Sequence, residues 1–455
     1  MWQKLRVVFT IPELRSKIML TLGLLAIYRV GYQIPLPMVD SSPGGSGNQV
    51  DNFLERISVF AATDLRQLTI FGLGIMPYIS ASIVFQLLGS VWPPIERLRK
   101  EGQTGMKKIN EYTRYLTVIL CVLQSIVFLK YAPVVNFQPA FCNPGSNELH
   151  FGWFMTAVAI MTGGTVFLMW LGEQIDEYGI GNGISLLIMA SILAQMPQAM
   201  IDLRQNMSTQ LSGSSGQIGP DKLIVLAALF VAVVFGVVFI TMGQRRIQTQ
   251  SAKHVRGRRV YGGTKQFLPL RINQAGVMPI IFASSLLMIP GLLVGFVASW
   301  FVDTKNPDSI WSGIANLLSM VSNGLTSGQS LLYIVMYIAM IFFFCYFWTS
   351  ITFNPKEMSE NLKDHGTFIP GYRPGKRTAD YLEKVMLRIT YVGAGFLAAV
   401  AIVPILVNIQ LAIPFSVASF YGGTSLLIAV SVAFDLIQKI DNHLLMRSYK
   451  GLLES

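Results

Sequence analysis

Ile75 and Ile79 stand one helical turn apart in the run G-I-M-P-Y-I-S-A-S-I-V-F-Q, Gly74 to Gln86. On a helix this spacing puts both side chains on one face. The chemistry open to a ring of such residues is exclusion, because a hydrophobic constriction sheds water and blocks ions yet yields to a wider solute. Ile184 and Ile188 repeat the spacing in G-N-G-I-S-L-L-I, Gly181 to Ile188. Both stretches have echoes in the second half of the chain. G-V-M-P-I-I-F-A-S-S (Gly276 to Ser285) matches the first in its Gly, Met-Pro, Ile and Ala-Ser, and Y-G-G-T-S-L-L-I (Tyr421 to Ile428) matches the second. Counted from the matching residues, Ile281 is the mate of Ile79 and Ile428 the mate of Ile188. The repeats thus nominate six isoleucines at matching depth.

Pro77 and Pro279 each remove a helix hydrogen bond and crowd the preceding turn. Ser80, Ser82, Gln86, Gln124, Ser284 and Ser285 set polar groups inside apolar segments, where bridging hydrogen bonds between helices average about 0.6 kcal/mol. A seam held that weakly can open. Residues suited to covalent chemistry are sparse. Cys121, Cys142 and Cys345 have no metal-ligand or disulfide spacing, and His150, His254, His365 and His443 are scattered. No phosphate-binding G-x-x-x-x-G-K-[ST] loop, H-E-x-x-H or G-x-S-x-G is present. No metal, cofactor or catalytic activity is expected, and any driving energy must come from a partner.

The elements that carry these residues are membrane spans. Of the 455 residues 52% are hydrophobic and only 13% charged, with a mean hydropathy of +0.51, whereas soluble domains carry about a quarter charged residues. Runs long enough to cross about 30 Å of hydrocarbon centre on 18–34, 73–91, 115–131, 152–171, 185–200, 223–241, 274–297, 331–352, 386–406 and 419–437. Long connections fall at 36–72, 92–114, 242–272, 301–330 and 354–384. The first run is charged before it and has no small-residue cleavage site after it, so it reads as a retained span. The expected class is an all-α polytopic membrane protein of ten transmembrane helices. Residues 1–200 form one half, a Ser/Gly/Gln-rich hinge runs over 201–222, and 223–455 form the other half. Five spans per half make the duplicated halves inverted.

Most of the 35 Lys and Arg residues lie in the two terminal tails and in the second, sixth and eighth connections. The positive-inside rule places those segments, and both termini, in the cytoplasm. The sixth connection carries Arg245, Arg246, Lys253, Arg256, Arg258, Arg259, Lys265 and Arg271 without one acid, more than orientation requires, which points to a large anionic cytoplasmic surface as ligand. Residues 53–73 are too short and too charged to cross. They read either as a re-entrant helix or as a surface helix outside the membrane.

Several segments, spread over nearly the whole chain, resemble the SecY family, the channel subunits of the bacterial protein translocon. They are G-I-M-P-Y-I-S-A-S-I, E-G-Q-T-G with Y-T-R-Y (Glu101 to Tyr115), F-L-M-W-L-G-E-Q-I with G-I-G-N-G-I-S (Phe167 to Ser185), G-Q-R-R-I and G-R-R-V-Y (Gly243 to Tyr261), A-G-V-M-P-I-I-F-A-S-S, F-N-P (Phe353 to Pro355), G-Y-R-P-G (Gly371 to Gly375) and Y-G-G-T-S-L-L-I. The resemblance implies a clamshell of two inverted halves around an hourglass pore whose ring falls on Ile75, Ile79, Ile184, Ile188, Ile281 and Ile428. It implies a short re-entrant plug helix at Phe60, Ala61, Ala62, Thr63, Asp64 and Leu65, where V-F-A-A-T-D-L departs from the family's Ser- and Gly-rich plug. A lateral gate between spans 2 and 3 and spans 7 and 8 would use Pro77, Ser80, Gln86, Gln124, Pro279, Ser284 and Ser285. Arg245, Arg246, Arg258, Arg259 and Arg373 would dock the SecA motor or the ribosome. The other implied partners are SecE and SecG, signal peptides and unfolded preproteins, anionic lipids and YidC, at the cytoplasmic (inner) membrane of a bacterium. An ion-coupled secondary transporter also uses inverted repeats and broken helices, but it requires ionisable residues near the midplane. Arg29, Arg388, Asp435 and Glu173 all fall near span ends.

Overall fold

The computed structural model of the chain describes residues 11–39, 69–131, 137–142, 149–205, 207, 219–251, 254–256, 259–261, 265–284, 286–287, 294, 297, 310–326, 330–411, 417–418 and 423–453. The expected plug, Phe60 to Leu65, lies outside them, as do Ser285 and Arg258.

The first half contains α1 (Pro12–Gly31), α2 (Met76–Val91), α3 (Pro93–Lys100), α4 (Gln103–Tyr131), α5 (Phe151–Tyr178) and α6 (Gly183–Gln205). After α7 (Pro220–Met242) come four strands, β1 (Gln244–Ser251), β2 (His254–Arg256), β3 (Arg259–Tyr261) and β4 (Lys265–Arg271). Residues 278–284 and 286–287 are helical. The chain continues through α8 (Ile310–Thr326), α9 (Leu331–Thr352), α10 (Pro355–Asp364), β5 (Thr367–Phe368), α11 (Lys376–Leu411) and α12 (Thr424–Leu453). Helix therefore occupies each of the ten stretches expected to span. By length and composition four of the described helices can cross a membrane unaided: α5, α7, α9 with its continuation to Asp364, and α11.

These helices bury one face and leave another apolar face open. On α7, Leu226, Val233 and Val237 are buried while Val231, Phe235 and Phe239, each one turn apart, are exposed. An apolar outer stripe on an apolar helix suits lipid, not water. In the first half α2 packs on α4, α4 on α5, and α1 and α6 on α5; in the second, α9 packs on α11 and α7 on α12. The halves are joined where α6 packs on α12. The main apolar core lies at this junction and draws residues from α1, α2, α5, α6, α7, the helical residues 278–284 and 286–287, α9, α11 and α12.

Two segments read as connections carry structure of their own. The basic stretch after α7 folds as an antiparallel pair of β1 and β4, with Arg246 opposite Pro269, and β5 adds to the other edge of β1 through Gln250 and Phe368. Alternation explains it. Ile247 and Leu270 turn inward onto Phe353, Ile369, Leu382 and Met386 of the α10–α11 region, and the intervening Arg246 and Gln248 face out. β2 and β3 pair in a second, smaller hairpin. Helix α8 fills part of the stretch 301–330 and packs on α9; its sequence I-W-S-G-I-A-N-L-L-S-M-V-S-N-G-L-T has no charge.

Candidate functional site

The sequence echo is also an echo of backbone. Gly74 and Gly276 both have positive φ, 56° and 64°, in the left-handed region that glycine enters without a Cβ penalty. Each turns the chain into a helix that begins two residues later. In both, the residue after the glycine receives the first helical hydrogen bond: Ile79 N donates to the Ile75 carbonyl (3.1 Å) and Ile281 N to the Val277 carbonyl (3.4 Å). Four residues before each glycine the chain passes over a glycine of a longer helix. A Cβ on Gly164 of α5 would fall on the Ile70 carbonyl oxygen, and one on Gly393 of α11 would lie 2.8 Å from the Ile272 carbonyl oxygen.

This local geometry corrects the reading of the prolines. Pro77 is the second residue of α2, and Pro279 the second helical residue of its segment. In a first turn the missing N–H has no partner to lose, and the fixed φ favours helix. Both prolines start their helices and neither breaks one.

The glycine turns deliver Ile75, Ile79 and Ile281 into the main core, where they share one apolar cluster with Ile188 and Ile428; Ile184, partly buried, packs against the same cluster. Ile184 and Ile188 arrive on α6, whose start is capped by Asn182: its side-chain oxygen accepts from the Ser185 N–H and the Ser185 hydroxyl, both at 3.0 Å. The Gly183 N–H donates to Asp176 at the end of α5 at 2.8 Å. All six nominated isoleucines thus lie in or against one cluster fed by both halves.

Two of the nominated polar groups bond within their own helices. The Ser284 hydroxyl donates to its own helix at the Ile281 carbonyl (2.9 Å), and the Gln86 amide donates to Ser82 one turn back (3.1 Å). In apolar surroundings the nearest acceptor is on the same helix. The remaining oxygen of Gln86 on α2 and the hydroxyl of Ser125 on α4 are buried with no hydrogen-bond partner among the described residues. Gln124 is partly exposed, and its neighbour Ser125 is the buried group. Sequence reasoning chose the larger polar side chain and missed the one that faces inward. Ser80 is partly exposed. Aromatic contacts tie these helices in pairs: Phe85 stacks on Tyr112 between α2 and α4, and Phe282 meets Phe344 and Trp348 of α9 edge-on.

Charge stays outside this core. Among the described residues every fully buried polar residue is Ser or Thr, apart from buried tyrosines, and of Gln86 only the side-chain oxygen is buried. Arg114 of α4 and Glu173 of α5 form an ion pair at 2.7 Å, half exposed. The sequence marks Glu173 only as an ionisable residue near a span end and does not indicate its pairing with Arg114 of the Y-T-R-Y segment.

A family model for SecY matches residues 69–437. The protein translocase subunit SecY of Escherichia coli K12 is 40% identical over 445 residues, which are 97% of this chain and 94% of that protein. Its counterpart in Corynebacterium glutamicum is 42% identical over 453 residues, 98% of each chain. The chain belongs to the SecY family. Among solved structures, one described as the structure of a protein conducting channel superposes with a TM-score of 0.58 at 18% identity, covering 94% of this chain and 91% of that one. Sec61 in the canine ribosome-channel complex from the endoplasmic reticulum gives 0.55 at 16% identity with the same coverage. The fold is thus that of the SecY and Sec61 channels, an all-helical membrane body with appended strands.

On this SecY-family chain two of the nominated arginines, Arg245 and Arg246, do not share a face. Arg245 and Arg246 are neighbours on β1 and both exposed, but strand alternation sends them to opposite faces of the sheet. Arg246 shares its outward face with Arg271, Lys265 and Phe267, while Arg245 sits at the rim of the face that packs inward. Arg259 belongs to β3. Arg373 is exposed in the turn between β5 and α11, away from β2 and β3 in the sequence and in the sheet pairing.

Proposed function

We propose that this SecY-family chain forms the channel of a protein translocase: a passive, gated conduit that passes unfolded polypeptide across the bacterial cytoplasmic membrane and releases hydrophobic segments sideways into it. The observation that carries the reading is the meeting of Ile75, Ile79, Ile184, Ile188, Ile281 and Ile428 in a single apolar cluster supplied by both repeats. Such a cluster holds back ions by excluding water and can refit its side chains around a passing chain.

In this reading residues 1–200 and 223–455 are the inverted halves, 201–222 is the hinge, and both termini face the cytoplasm. The pair α2 and α4 is one lip of a lateral gate and the helical segment at 278–284 with α9 is the other. Each pair is tied by aromatic contacts, and the unpartnered Gln86 and Ser125 oxygens lie on the first lip. A segment leaves through the gate when lipid favours it. Leu, Ile, Phe and Val each gain about 0.3–0.6 kcal/mol at mid-membrane, and a central Lys or Arg is opposed by about 2.5–3.5 kcal/mol. Phe60 to Leu65 would be the plug. SecE and SecG would complete the membrane complex. Arg245, Arg246, Arg258, Arg259 and Arg373 would meet the SecA motor or the ribosome, with anionic lipids and YidC as further neighbours.

The test is reconstitution with SecE, SecG, SecA and a precursor protein in vesicles. ATP-dependent protection of the precursor from protease is the expected result. Uptake of small solutes without those partners would instead favour an ion-coupled transporter, a class that needs ionisable groups in the membrane core.

A further inference from the structure

The turn that presents Arg373 is fixed from below by two buried hydroxyls that nothing in its own motif contains. Gly371 and Gly375 bracket the turn with φ of 89° and 108°. A Cβ at either would meet nothing within 4 Å, so these glycines answer to backbone sign and not to space. The Ser359 hydroxyl of α10, 2% exposed, donates to the Gly375 carbonyl at 2.7 Å. The Thr378 hydroxyl in the first turn of α11, also 2% exposed, donates to the Arg373 carbonyl itself at 2.9 Å. Tyr372 is held by stacking on Tyr381 at 4.3 Å between ring centres. The Arg373 backbone is thus clamped on both sides while its exposed guanidinium has no ion-pair or hydrogen-bond partner among the described residues.

We infer that Ser359 and Thr378 are positioning residues that pre-organise Arg373 for its partner, an inference that rests on the docking role proposed above. Holding a contact residue in its bound geometry removes an ordering penalty that would otherwise weaken association. The charges around the turn favour SecA over the ribosome as the partner concerned. Glu357, Glu360, Asp364, Asp380 and Glu383 are interspersed with Lys356, Lys363, Lys376, Arg377 and Lys384. A mixed field suits one discrete arginine contact to a protein, whereas a phosphate surface is met by clustered positive charge.

The experiment measures SecA affinity and precursor translocation for the reconstituted complex carrying Thr378→Val, Thr378→Ser, Ser359→Ala, Arg373→Glu and Arg373→Ala. Thr378→Val keeps the shape and removes the hydroxyl, and should weaken SecA binding about threefold to tenfold, the worth of one hydrogen bond. Thr378→Ser keeps the hydroxyl and should restore it. Ser359→Ala should act in the same direction as Thr378→Val. In an Arg373→Ala background Thr378→Val should add no further loss, because the hydroxyl acts through Arg373. Wild-type affinity in both Thr378→Val and Ser359→Ala, equal losses for Val and Ser at 378, or additive losses in the double variant would overturn the inference. So would weakened ribosome binding with SecA binding intact. Normal translocation by Arg373→Glu would instead remove the docking role on which the inference rests.

Discussion

At the scale of the residue, the paired glycines separate two reasons for having no side chain. Gly276 needs its left-handed φ of 64° but has nothing within 4 Å of a Cβ, so Gly276→Ala should cost about 1–2 kcal/mol of torsional strain. Gly393 needs space, since its Cβ would press on the Ile272 carbonyl at 2.8 Å. Gly393→Val must displace backbone, overpacking that costs about 1–3 kcal/mol or more. Thermal unfolding in detergent should therefore show a larger fall for Gly393→Val than for Gly276→Ala; the reverse order would mean that the close approach is not a packing constraint. The isoleucines make a different prediction. Replacing all six by Ser should raise the resting ion conductance of planar bilayers several-fold, because polar side chains keep a constriction wet. Unchanged conductance would remove their sealing role. The Arg114–Glu173 pair, half exposed, should matter little: Arg114→Gln is expected to change stability by less than about 1 kcal/mol.

Helix α2 and the helical segment at 278–284 are built alike, from the positive-φ glycine through the proline in the first turn to the isoleucine one turn on. That likeness turns a sequence repeat into an interface that can be tested at the scale of the element. Cysteines introduced at Ser80 and Ser284, joined by a cleavable bifunctional maleimide, should stop precursor translocation, and cleavage of the linker should restore it. Translocation at the normal rate through the cross-linked protein would show that these helices do not part. The strands after α7 carry a second lesson at this scale. A run of eight basic residues without an acid reads as a docking loop, and its excess charge is plain from sequence. The alternation of Ile247 and Thr249 against Leu268 and Leu270 is just as visible there, yet its meaning depends on the apolar surface of α10 and α11 that it covers. Splitting Arg245 from Arg246 follows only from that pairing, and single substitutions at the two positions should differ in their effect on partner binding, with Arg246→Glu the stronger.

For the whole molecule, the proposed lateral exit makes lipid the arbiter of what leaves sideways. A translocating precursor with a central Leu-rich segment should integrate, and the same segment with two central lysines should pass through, as judged by carbonate extraction of the vesicles; equal partition of both would argue against a lateral exit. Sequence alone determined the membrane class and the helical segments, and it nominated the repeat and the six isoleucines that lie in or against one apolar cluster. It could do so because bilayer thickness fixes span length, the helical period fixes which residues share a face, and repetition marks equivalent positions in both halves. Tertiary structure decided the rest. It made Pro77 and Pro279 helix starts, because the glycines before them turn the chain at that point. It turned Ser284 and Gln86 back onto their own helices and left the buried oxygens to Gln86 and Ser125, because which polar atom finds a partner depends on the neighbouring helix. And it brought Ser359 of α10 onto the Gly375 carbonyl beneath the Arg373 turn, sixteen residues along the chain, a contact that no local pattern records.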